Sequence, residues 1–176
     1  MDGRPHVALI GMMGSGKSTV GFWLARMDGL RFVDLDSAIE EHQGRSVVEI
    51  FETSGETHFR DVEQELLAGC LASPQPLVLS CGGGVVLRAE NRAVLRARAW
   101  VCWLRAGIET LSRRVRSGAN RPLLGKDPAG DLIEINRARA GLYAETAHEV
   151  IDVDSMNTSQ VAERIKLIRP RPIPYQ

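Results

Sequence analysis

One segment of the sequence carries the residues of a phosphate-binding loop. Gly11–Ser18 reads GMMGSGKS and fills every fixed position of the pattern G-x-x-x-x-G-K-[ST]. In such a loop the glycines allow successive backbone N–H groups to point at an anion, and the helix that follows adds partial positive charge. Lys17 can then bridge the terminal phosphates of a nucleotide, and the Ser18 hydroxyl can hold Mg²⁺. The spacing does not fit G-x-G-x-x-G, so a dinucleotide cofactor is not expected.

Three classes of nucleotide-binding protein are compatible with this loop: a small-molecule kinase, a GTPase-type switch and an ATP-driven motor. A switch would normally carry the guanine motif N-K-x-D, which is absent from the sequence. The segment Asp127–Gly130 matches D-x-x-G but does not follow a predicted strand. A motor usually needs a longer chain than this one. The sequence therefore favours a kinase.

Two aspartates follow the second predicted strand. Asp34 and Asp36 lie at the end of Phe32–Asp36, and side chains at i and i+2 point the same way if the strand continues. Ligands bind at the carboxyl edge of the strands in open α/β sheets. One carboxylate can therefore organise Mg²⁺ through water, and the other can accept a hydrogen bond from an alcohol. The alternative is that these residues only cap the end of the strand.

Glycine and arginine residues farther along the chain indicate an anionic ligand. Gly82–Gly84 follow the third predicted strand and offer backbone N–H groups without intervening side chains, although an ordinary turn would also explain them. Arg139 interrupts an apolar helical stripe made of Leu132, Ile135, Leu142 and Tyr143. An inward-facing guanidinium needs either a bound carboxylate or an intramolecular salt bridge. Arg60 is compatible with a plain solvated helix residue, and Arg121 begins a loop from which it could cover the phosphates.

Short apolar runs alternate with helical periodicity along the chain, which is typical of a parallel sheet covered by helices on both faces. The runs predicted as buried strands are Val7–Ile10, Arg31–Leu35, Leu77–Cys81, Trp100–Leu104 and Glu149–Val153. The predicted fold class is therefore α/β, a three-layer αβα arrangement around a five-stranded parallel sheet. In the first helix, one buried stripe is predicted to contain Val20, Trp23, Leu24 and Met27.

Three regions depart from this alternation. Segment 36–64 carries helical patterns only, and Ser46 with Glu49 has the spacing of a capping box. Segment 116–130 is rich in turn-forming and charged residues and is predicted to be either a mobile lid or an ordinary surface loop. The tail 169–176 is rich in proline, cannot continue a helix and is expected to be frayed.

Composition limits the classes of protein that remain. The chain has 176 residues and is predicted to form one domain, and its 22 basic and 22 acidic residues argue against a nucleic-acid-binding protein. No apolar stretch reaches the roughly 18 residues that span a bilayer, so no membrane association is expected. Cys70, Cys81 and Cys102 have apolar neighbours and are expected to be buried thiols, and the histidines lack metal-ligand spacing. We expect a cytoplasmic protein without a structural metal site.

Four motifs together resemble those of the shikimate kinase family. They are the phosphate loop Ile10–Gly21, the paired aspartates of Phe32–Asp36, the arginine and glycine segments Gly55–Arg60 and Cys81–Val86 taken together as one motif, and Arg121–Leu124. They occur in the family's order, and the resemblance extends from about Val7 to Ile168. One departure is Gly141, which stands where the family often has proline and so bears on the rigidity of the helix that carries Arg139.

The resemblance implies a P-loop NTPase fold of the nucleoside-monophosphate-kinase type, in a single domain spanning 1–176. It implies that ATP, with Mg²⁺, phosphorylates the 3-hydroxyl of shikimate, a step towards chorismate. The residues implied to bind ATP are Gly14, Ser15, Gly16, Lys17, Ser18, Thr19, Arg114 and Arg121. Those implied to bind shikimate are Asp36, Arg60, Gly82, Gly83, Gly84 and Arg139. Mg²⁺ is assigned to Ser18 and Asp34, and catalysis to Lys17, Asp36 and Arg121.

The resemblance also assigns roles to whole segments. The insertion 36–64 is implied to bind substrate, and 116–130 to form a lid from which Arg121 contacts both ligands. Arg114 is implied to stack on adenine, with Arg116 as a close competitor. A monomer that binds only these small molecules is expected. Two other functions stay open, another small-molecule kinase such as one for gluconate and a non-catalytic ATP-binding regulator.

Overall fold

A five-stranded parallel sheet forms the centre of the protein. The computed structural model describes residues 6–116 and 128–170, with the backbone alone at Arg116 and Pro128. The strands are β1 (His6–Ile10), β2 (Arg31–Asp34), β3 (Leu77–Ser80), β4 (Ala99–Arg105) and β5 (Glu149–Asp152). Their order across the sheet is β2-β3-β1-β4-β5, and all neighbouring pairs are parallel. The predicted α/β class and the five-stranded parallel sheet are confirmed.

Helices cover both faces of this sheet. They are α1 (Lys17–Asp28), α2 (Leu35–Gln43), α3 (Val47–Leu71), α4 (Ala89–Arg98), α5 (Ile108–Arg116), α6 (Pro128–Thr146) and α7 (Thr158–Ile168), with a 3₁₀ turn at Val85–Leu87. Crossovers between parallel strands are right-handed. The step from β1 to β2 runs in the opposite direction to the later steps, so α1 lies on the opposite face from α3, α4 and α6. Accordingly, α1 packs against α7, and α4 packs against both α3 and α6.

The topology places the loops that could form a ligand-binding site at one edge of the sheet. Every residue of β1 is buried, because this central strand is covered on both faces. All strands run in the same direction, so the loops that follow them meet at the shared carboxyl edge. No helix in residues 6–116 or 128–170 is long and apolar enough to cross a bilayer.

The first helix buries a narrower face than its sequence pattern predicts. Trp23 and Met27 are 45% and 36% exposed, whereas the other two residues of the predicted stripe are buried. The helix approaches the sheet through Gly21, where a Cβ atom would lie only 2.7 Å from the ring of Phe32. This close approach fixes the rotation of the helix and leaves the two larger side chains at its margin. The prediction was wrong for these two residues.

The segment after β2 is helical, as predicted, but it begins earlier than predicted. Strand β2 ends at Asp34, whose side chain accepts a hydrogen bond from the Ser37 backbone N–H at 3.2 Å and so caps α2. The capping box of Ser46 and Glu49 at the start of α3 is confirmed. Gly55 has φ 80° and ψ 167°, which interrupts α3 with a kink. The predicted strand over Arg31–Leu35 is therefore one residue too long.

The cysteines occupy positions close to those expected. Cys81 and Cys102 are buried, and Cys70 is half-buried. Burial raises the pKa of each of the three thiols, so they stay protonated at neutral pH. Within the described residues, no group of three or more His, Cys, Asp or Glu side chains could hold a metal ion.

Candidate active site

The phosphate loop joins the carboxyl end of β1 to the first residue of α1. Gly11, Gly14 and Gly16 have positive φ angles of 139°, 81° and 95°, which residues with a side chain rarely adopt. At Gly11 a Cβ atom would also lie 2.5 Å from the carbonyl oxygen of Leu104 in β4. No described side chain caps the N-terminus of α1. Its first N–H groups therefore remain available to an anion in the loop.

Charged and hydroxyl side chains surround the end of this loop. Lys17 is 8% exposed, and its Nζ donates a 2.9 Å hydrogen bond to the carbonyl oxygen of Met12. Ser18 Oγ donates a 2.6 Å hydrogen bond to Asp34 Oδ2 and lies 3.3 Å from Ser80 Oγ. The side-chain oxygen atoms of Ser18, Asp34 and Ser80 thus form a cluster at the carboxyl ends of β2 and β3.

A cleft of about 280 Å³ connects the phosphate loop to both predicted aspartates. Its lining includes Lys17, Ser18, Asp34, Asp36, Ser80 and Gly83. The expectation that the two aspartates share one side of a continuing strand was wrong, because Asp36 lies in the first turn of α2. That turn nevertheless brings both carboxylates into the same cleft. Asp34 also caps α2, which confirms the capping interpretation, and its place in the cleft leaves it available to organise a metal ion.

Asp36 faces the glycine-rich loop that follows β3. A Cβ atom at Gly82 would lie 2.6 Å from Asp36 Oδ1, so a larger residue there would displace the carboxylate. Burial, together with the neighbouring Asp34, raises the pKa of Asp36, while Lys17 and Arg60 act in the opposite direction. A carboxylate with a raised pKa is a better acceptor for the proton of an alcohol.

Arg60 is buried and held by two glutamates of its own helix. It is 6% exposed, and its Nη1 donates a 2.7 Å hydrogen bond to Glu63, which is fully buried. Its Nη2 lies 3.1 Å from Glu56. A Cβ atom at Gly84 would lie 2.2 Å from the same Nη2. The interpretation of Arg60 as a solvated helix residue was wrong, since the guanidinium packs directly against the glycine-rich loop.

Arg139 faces the same loop from α6. It is 7% exposed, which confirms that it lies on the inward face of its helix. Its Nη1 is buried and has no hydrogen-bond partner among residues 6–116 and 128–170, while the buried Glu63 carboxylate lies near enough to attract the guanidinium. A Cβ atom at Gly83 would lie 3.6 Å from this nitrogen. One turn farther along the helix, the Tyr143 hydroxyl donates a hydrogen bond to the Gly83 carbonyl oxygen.

A second cleft of about 280 Å³ lies on the other side of the phosphate loop. It shares Gly16 and Thr19 with the first cleft. Its other lining residues are Ser15, Val20, Arg114, Thr158 and Val161, with Val153, Met156 and Asn157 of the loop after β5. Arg114 Nη1 donates a 3.4 Å hydrogen bond to the Gly14 carbonyl oxygen. The partly apolar lining and its position beside a phosphate site suit the ring of a nucleotide base.

A link between two loops fixes the walls of this second cleft. The Asp154 carboxylate accepts hydrogen bonds of 3.1 Å and 3.0 Å from the Gly107 backbone N–H. Gly107 immediately precedes α5, which carries Arg114, and Asp154 lies in the loop after β5. The helix that carries Arg114 and the loop after β5 are therefore joined at Gly107 and Asp154.

Comparison with known proteins decides the family. A family model described as shikimate kinase matches residues 13–168. The chain belongs to the shikimate kinase family. The shikimate kinase of Nitrobacter winogradskyi is 45% identical over 166 residues, covering 94% of this chain and 77% of that protein. The shikimate kinase of Bordetella pertussis is 44% identical over 176 residues, covering 98% of this chain and 82% of that protein.

A solved structure agrees with this assignment. The shikimate kinase from Acinetobacter baumannii, solved in complex with shikimate, has a TM-score of 0.90 and 34% sequence identity to this chain. The match covers 95% of this chain and 93% of that one. Membership of the shikimate kinase family makes this chain an ATP-dependent kinase.

The structure brings together most of the residues that the shikimate kinase resemblance implied. Gly14, Gly16 to Thr19, Asp34 and Asp36 line the first cleft, and Ser15 lines the second. Beside the first cleft, Asp36 faces Gly82, Arg139 lies near Gly83 and Arg60 packs against Gly84. Arg114 lines the second cleft, while the Arg116 side chain lies outside the described residues. Arg121, the remainder of the predicted lid up to residue 127 and the tail from residue 171 also lie outside them. Pro128–Gly130, the end of the predicted lid, begin α6.

Sequence reasoning missed four features of this shikimate kinase site. Glu63 follows Arg60 by three residues on one helix, a spacing at which opposite charges meet, and this could have indicated it. Ser80 ends a buried strand at the carboxyl edge, where ligands bind. The loop 153–157 follows β5 at that edge and carried no other signal. Tyr143 stood out only as part of an apolar stripe.

Proposed function

We propose that this chain transfers the γ-phosphate of ATP to the 3-hydroxyl of shikimate, releasing ADP and shikimate 3-phosphate. The observation that carries the proposal is the buried Nη1 of Arg139, which has no hydrogen-bond partner among the described residues. A buried guanidinium without an anion costs free energy, and a planar carboxylate fits its parallel N–H groups. Shikimate, a cyclic polyol with one carboxylate, supplies this anion. Relatives named shikimate kinase, one solved with shikimate bound, support the same acceptor.

The charges around the acceptor pocket favour one ligand carboxylate. Arg60 is already neutralised by Glu63 and Glu56, so it presents a fixed positive edge rather than an unmatched charge. Arg139 is the cation that gains most from a ligand. Asp36, which faces Gly82, offers an acceptor to a hydroxyl group of the same molecule. A ligand with a carboxylate for Arg139 and a hydroxyl group for Asp36 matches these charges.

The oxygen cluster beside the phosphate loop fits Mg²⁺ as the cofactor. Mg²⁺ prefers oxygen ligands and keeps waters and substrate phosphates in its coordination shell. Ser18 Oγ and Asp34 Oδ2 are 2.6 Å apart. The hydroxyl would hold the ion directly, and the carboxylate would hold it through water. When bound, Mg²⁺ supplies positive charge to the phosphate oxygens of ATP. The pairing of one hydroxyl with one carboxylate suits an ion that arrives with the nucleotide.

The protein's own residues then act by position and charge. Phosphoryl transfer passes through a loose transition state that asks little of a general base. Asp36 orients the attacking hydroxyl and accepts its proton late in the reaction, a task for which its raised pKa suits it. Lys17 and the N-terminus of α1 neutralise charge on the transferred group. We assign adenine stacking to Arg114. We assign to Arg121 a second positive charge on the transferred group and a place in a lid that excludes water.

The organisation of the chain forms part of the proposal. The buried apolar side chains make one contiguous cluster, which supports a single catalytic domain. A monomer in the cytoplasm stays a prediction. The insertion 36–64 contributes Asp36 and Arg60 to the acceptor pocket, which supports its assignment to substrate binding.

A coupled assay of ADP release tests the function. Purified protein with Mg-ATP is given shikimate, gluconate or no acceptor. We expect ADP release that requires shikimate, with shikimate 3-phosphate identified by mass spectrometry. Release that requires gluconate would support the other kinase, and ATP binding without acceptor-dependent release would support a regulator. Either result would refute the proposal.

A pair of variants on α6 tests the role of the Arg139 guanidinium. Arg139→Ala should raise the KM for shikimate by roughly 10-fold or more while the KM for ATP changes by less than about 2-fold, since charged hydrogen bonds contribute about 1.5–3 kcal/mol. Arg137→Ala is the matched control, because Arg137 is an exposed residue of the same helix. Equal effects of the two variants, or equal losses for both substrates, would contradict the assignment.

A further inference from the structure

The Tyr143 side chain occupies a position between the two loops of the site. It is fully buried, and its ring stacks on Trp103 of β4 with 5.5 Å between centroids and 30° between planes. Its hydroxyl donates a hydrogen bond to the Gly83 carbonyl oxygen and lies 3.8 Å from Met12 Sδ in the phosphate loop. The ring is thus held by packing, and the hydroxyl is directed at the point where the two loops meet.

Gly83 lies beside both the phosphate loop and Arg139. A Cβ atom at this position would lie 3.5 Å from the Met13 backbone nitrogen, 3.6 Å from the Gly11 carbonyl oxygen and 3.6 Å from Arg139 Nη1. Any displacement of Gly83 would therefore change its relation to the phosphate loop and to Arg139. The hydrogen bond from Tyr143 is a side-chain contact that opposes such a displacement.

The geometry of the peptide bond extends this effect to the next residue. The peptide unit is planar, with its carbonyl oxygen and the following N–H on opposite sides. Fixing the Gly83 carbonyl oxygen therefore fixes the direction of the Gly84 N–H. Burial raises the pKa of Tyr143 to about 12, so its hydroxyl remains a donor at neutral pH.

We propose that Tyr143 is a positioning residue for phosphoryl transfer, whose hydroxyl holds the Gly83–Gly84 peptide in the orientation that the acceptor requires. The inference rests on the proposed function, because it assigns the acceptor to the pocket beside Gly82–Gly84. Arg139 lies one turn earlier on the same helix, so Tyr143 also fixes the distance between that guanidinium and the loop. The side chain acts through these groups and does not itself touch the reacting atoms.

Tyr143→Phe removes the hydroxyl while keeping the stacked ring. We expect kcat/KM for shikimate to fall about 10-fold, mainly through KM, because the loss of one buried hydrogen bond has an effect of that order. The KM for ATP should change by less than about 2-fold. In amide hydrogen exchange followed by NMR, the Gly84 N–H should exchange faster than in the wild type.

Thr146→Val is the matched control on the same helix. Thr146 is fully buried, and its hydroxyl donates a 2.6 Å hydrogen bond to Leu142 within the helix, away from both loops. This variant should lower the melting temperature about as much as Tyr143→Phe while leaving the kinetics with shikimate unchanged. Placing p-aminophenylalanine at position 143 restores an N–H donor and should recover most of the lost kcat/KM.

The possible outcomes separate this inference from the proposed function. Wild-type kinetics for Tyr143→Phe, equal losses for both substrates, or an equal kinetic loss in Thr146→Val would overturn the positioning role. If the wild type does not phosphorylate shikimate at all, the proposed function fails. In that event the exchange rate of the Gly84 amide still decides whether Tyr143 holds the loop, since unchanged exchange in Tyr143→Phe would refute it.

Discussion

Replacing Gly84 with alanine should disable the acceptor pocket by displacing Arg60. The added Cβ atom would lie 2.2 Å from Arg60 Nη2 and 2.4 Å from its Cζ, whereas ordinary van der Waals contact begins at 3.4 Å. The guanidinium must therefore retreat by about 1 Å. It is buried against Glu63 at 2.7 Å, so a shift of that size breaks a charge-assisted hydrogen bond and leaves a buried carboxylate without its partner.

The magnitude follows from the bond that is lost. Hydrogen bonds to charged groups contribute about 1.5–3 kcal/mol, which corresponds to a roughly 10- to 150-fold rise in the KM for shikimate. The three atoms nearest to the new methyl group all belong to Arg60. We therefore expect the KM for ATP to stay within about 2-fold. Steady-state kinetics with each substrate varied in turn measures both values.

Two further variants make this prediction specific. Gly69→Ala places a methyl group on the helix that carries Arg60, at a position with no atom within 4 Å, and should leave both KM values unchanged. In an Arg60→Ala background, Gly84→Ala should have little further effect, because the side chain that it displaces is already absent. Additive losses in this double-mutant cycle would refute the reasoning, as would wild-type kinetics for Gly84→Ala alone.

Other regions of the molecule give four more predictions. Asp36→Asn should lower turnover at least 10-fold, about 1.4 kcal/mol, with ATP binding by calorimetry intact, and unchanged turnover would exclude its role. Asp154→Ala should raise the KM for ATP several-fold but not that for shikimate, because it frees the wall of the second cleft anchored at Gly107; the opposite selectivity would contradict this. Gly141→Ala should raise the free energy of unfolding in urea by about 0.5–1 kcal/mol, since the position is helical with no atom within 4 Å of the new methyl, and destabilisation would be the contrary result. Burial lowers the pKa of His6 in the folded state, so the unfolded state binds the proton more tightly and the free energy of unfolding should fall as the pH drops through 6.5. His6→Gln should flatten the dependence of this free energy on pH near 6.5, and an unchanged dependence would contradict the assignment to His6.

Local patterns predicted those parts of the site whose geometry is set by neighbouring residues in the chain. The phosphate loop could be placed because the motif, the strand before it and the helix after it form one continuous unit. The capping box at Ser46 was predictable for the same reason, since both partners lie within one helical turn. The five strands followed from their short apolar runs, although β2 ended one residue early once Asp34 capped the next helix.

Other parts of the site depend on contacts between distant segments, which sequence patterns do not reveal. The contact of Tyr143 with Gly83 joins residues 60 positions apart. The i,i+3 spacing of Arg60 and Glu63 can be read from the sequence, but the burial of this pair cannot, because it depends on the segments that pack over it. Trp23 fitted a helical stripe but lies at the margin, because Gly21 sets the rotation of α1 against the sheet. Tertiary packing decided each of these positions.

The common border of the two clefts has a consequence for inhibitor design. Gly16 and Thr19 line both cavities, so a single compound can reach into both clefts across this border. Tethering two weak fragments across this border would make the second association intramolecular, and the gain in avidity would depend on how well the tether matches the span. The phosphate loop sets that span, and a short polyanionic tether would also gain from its N–H groups.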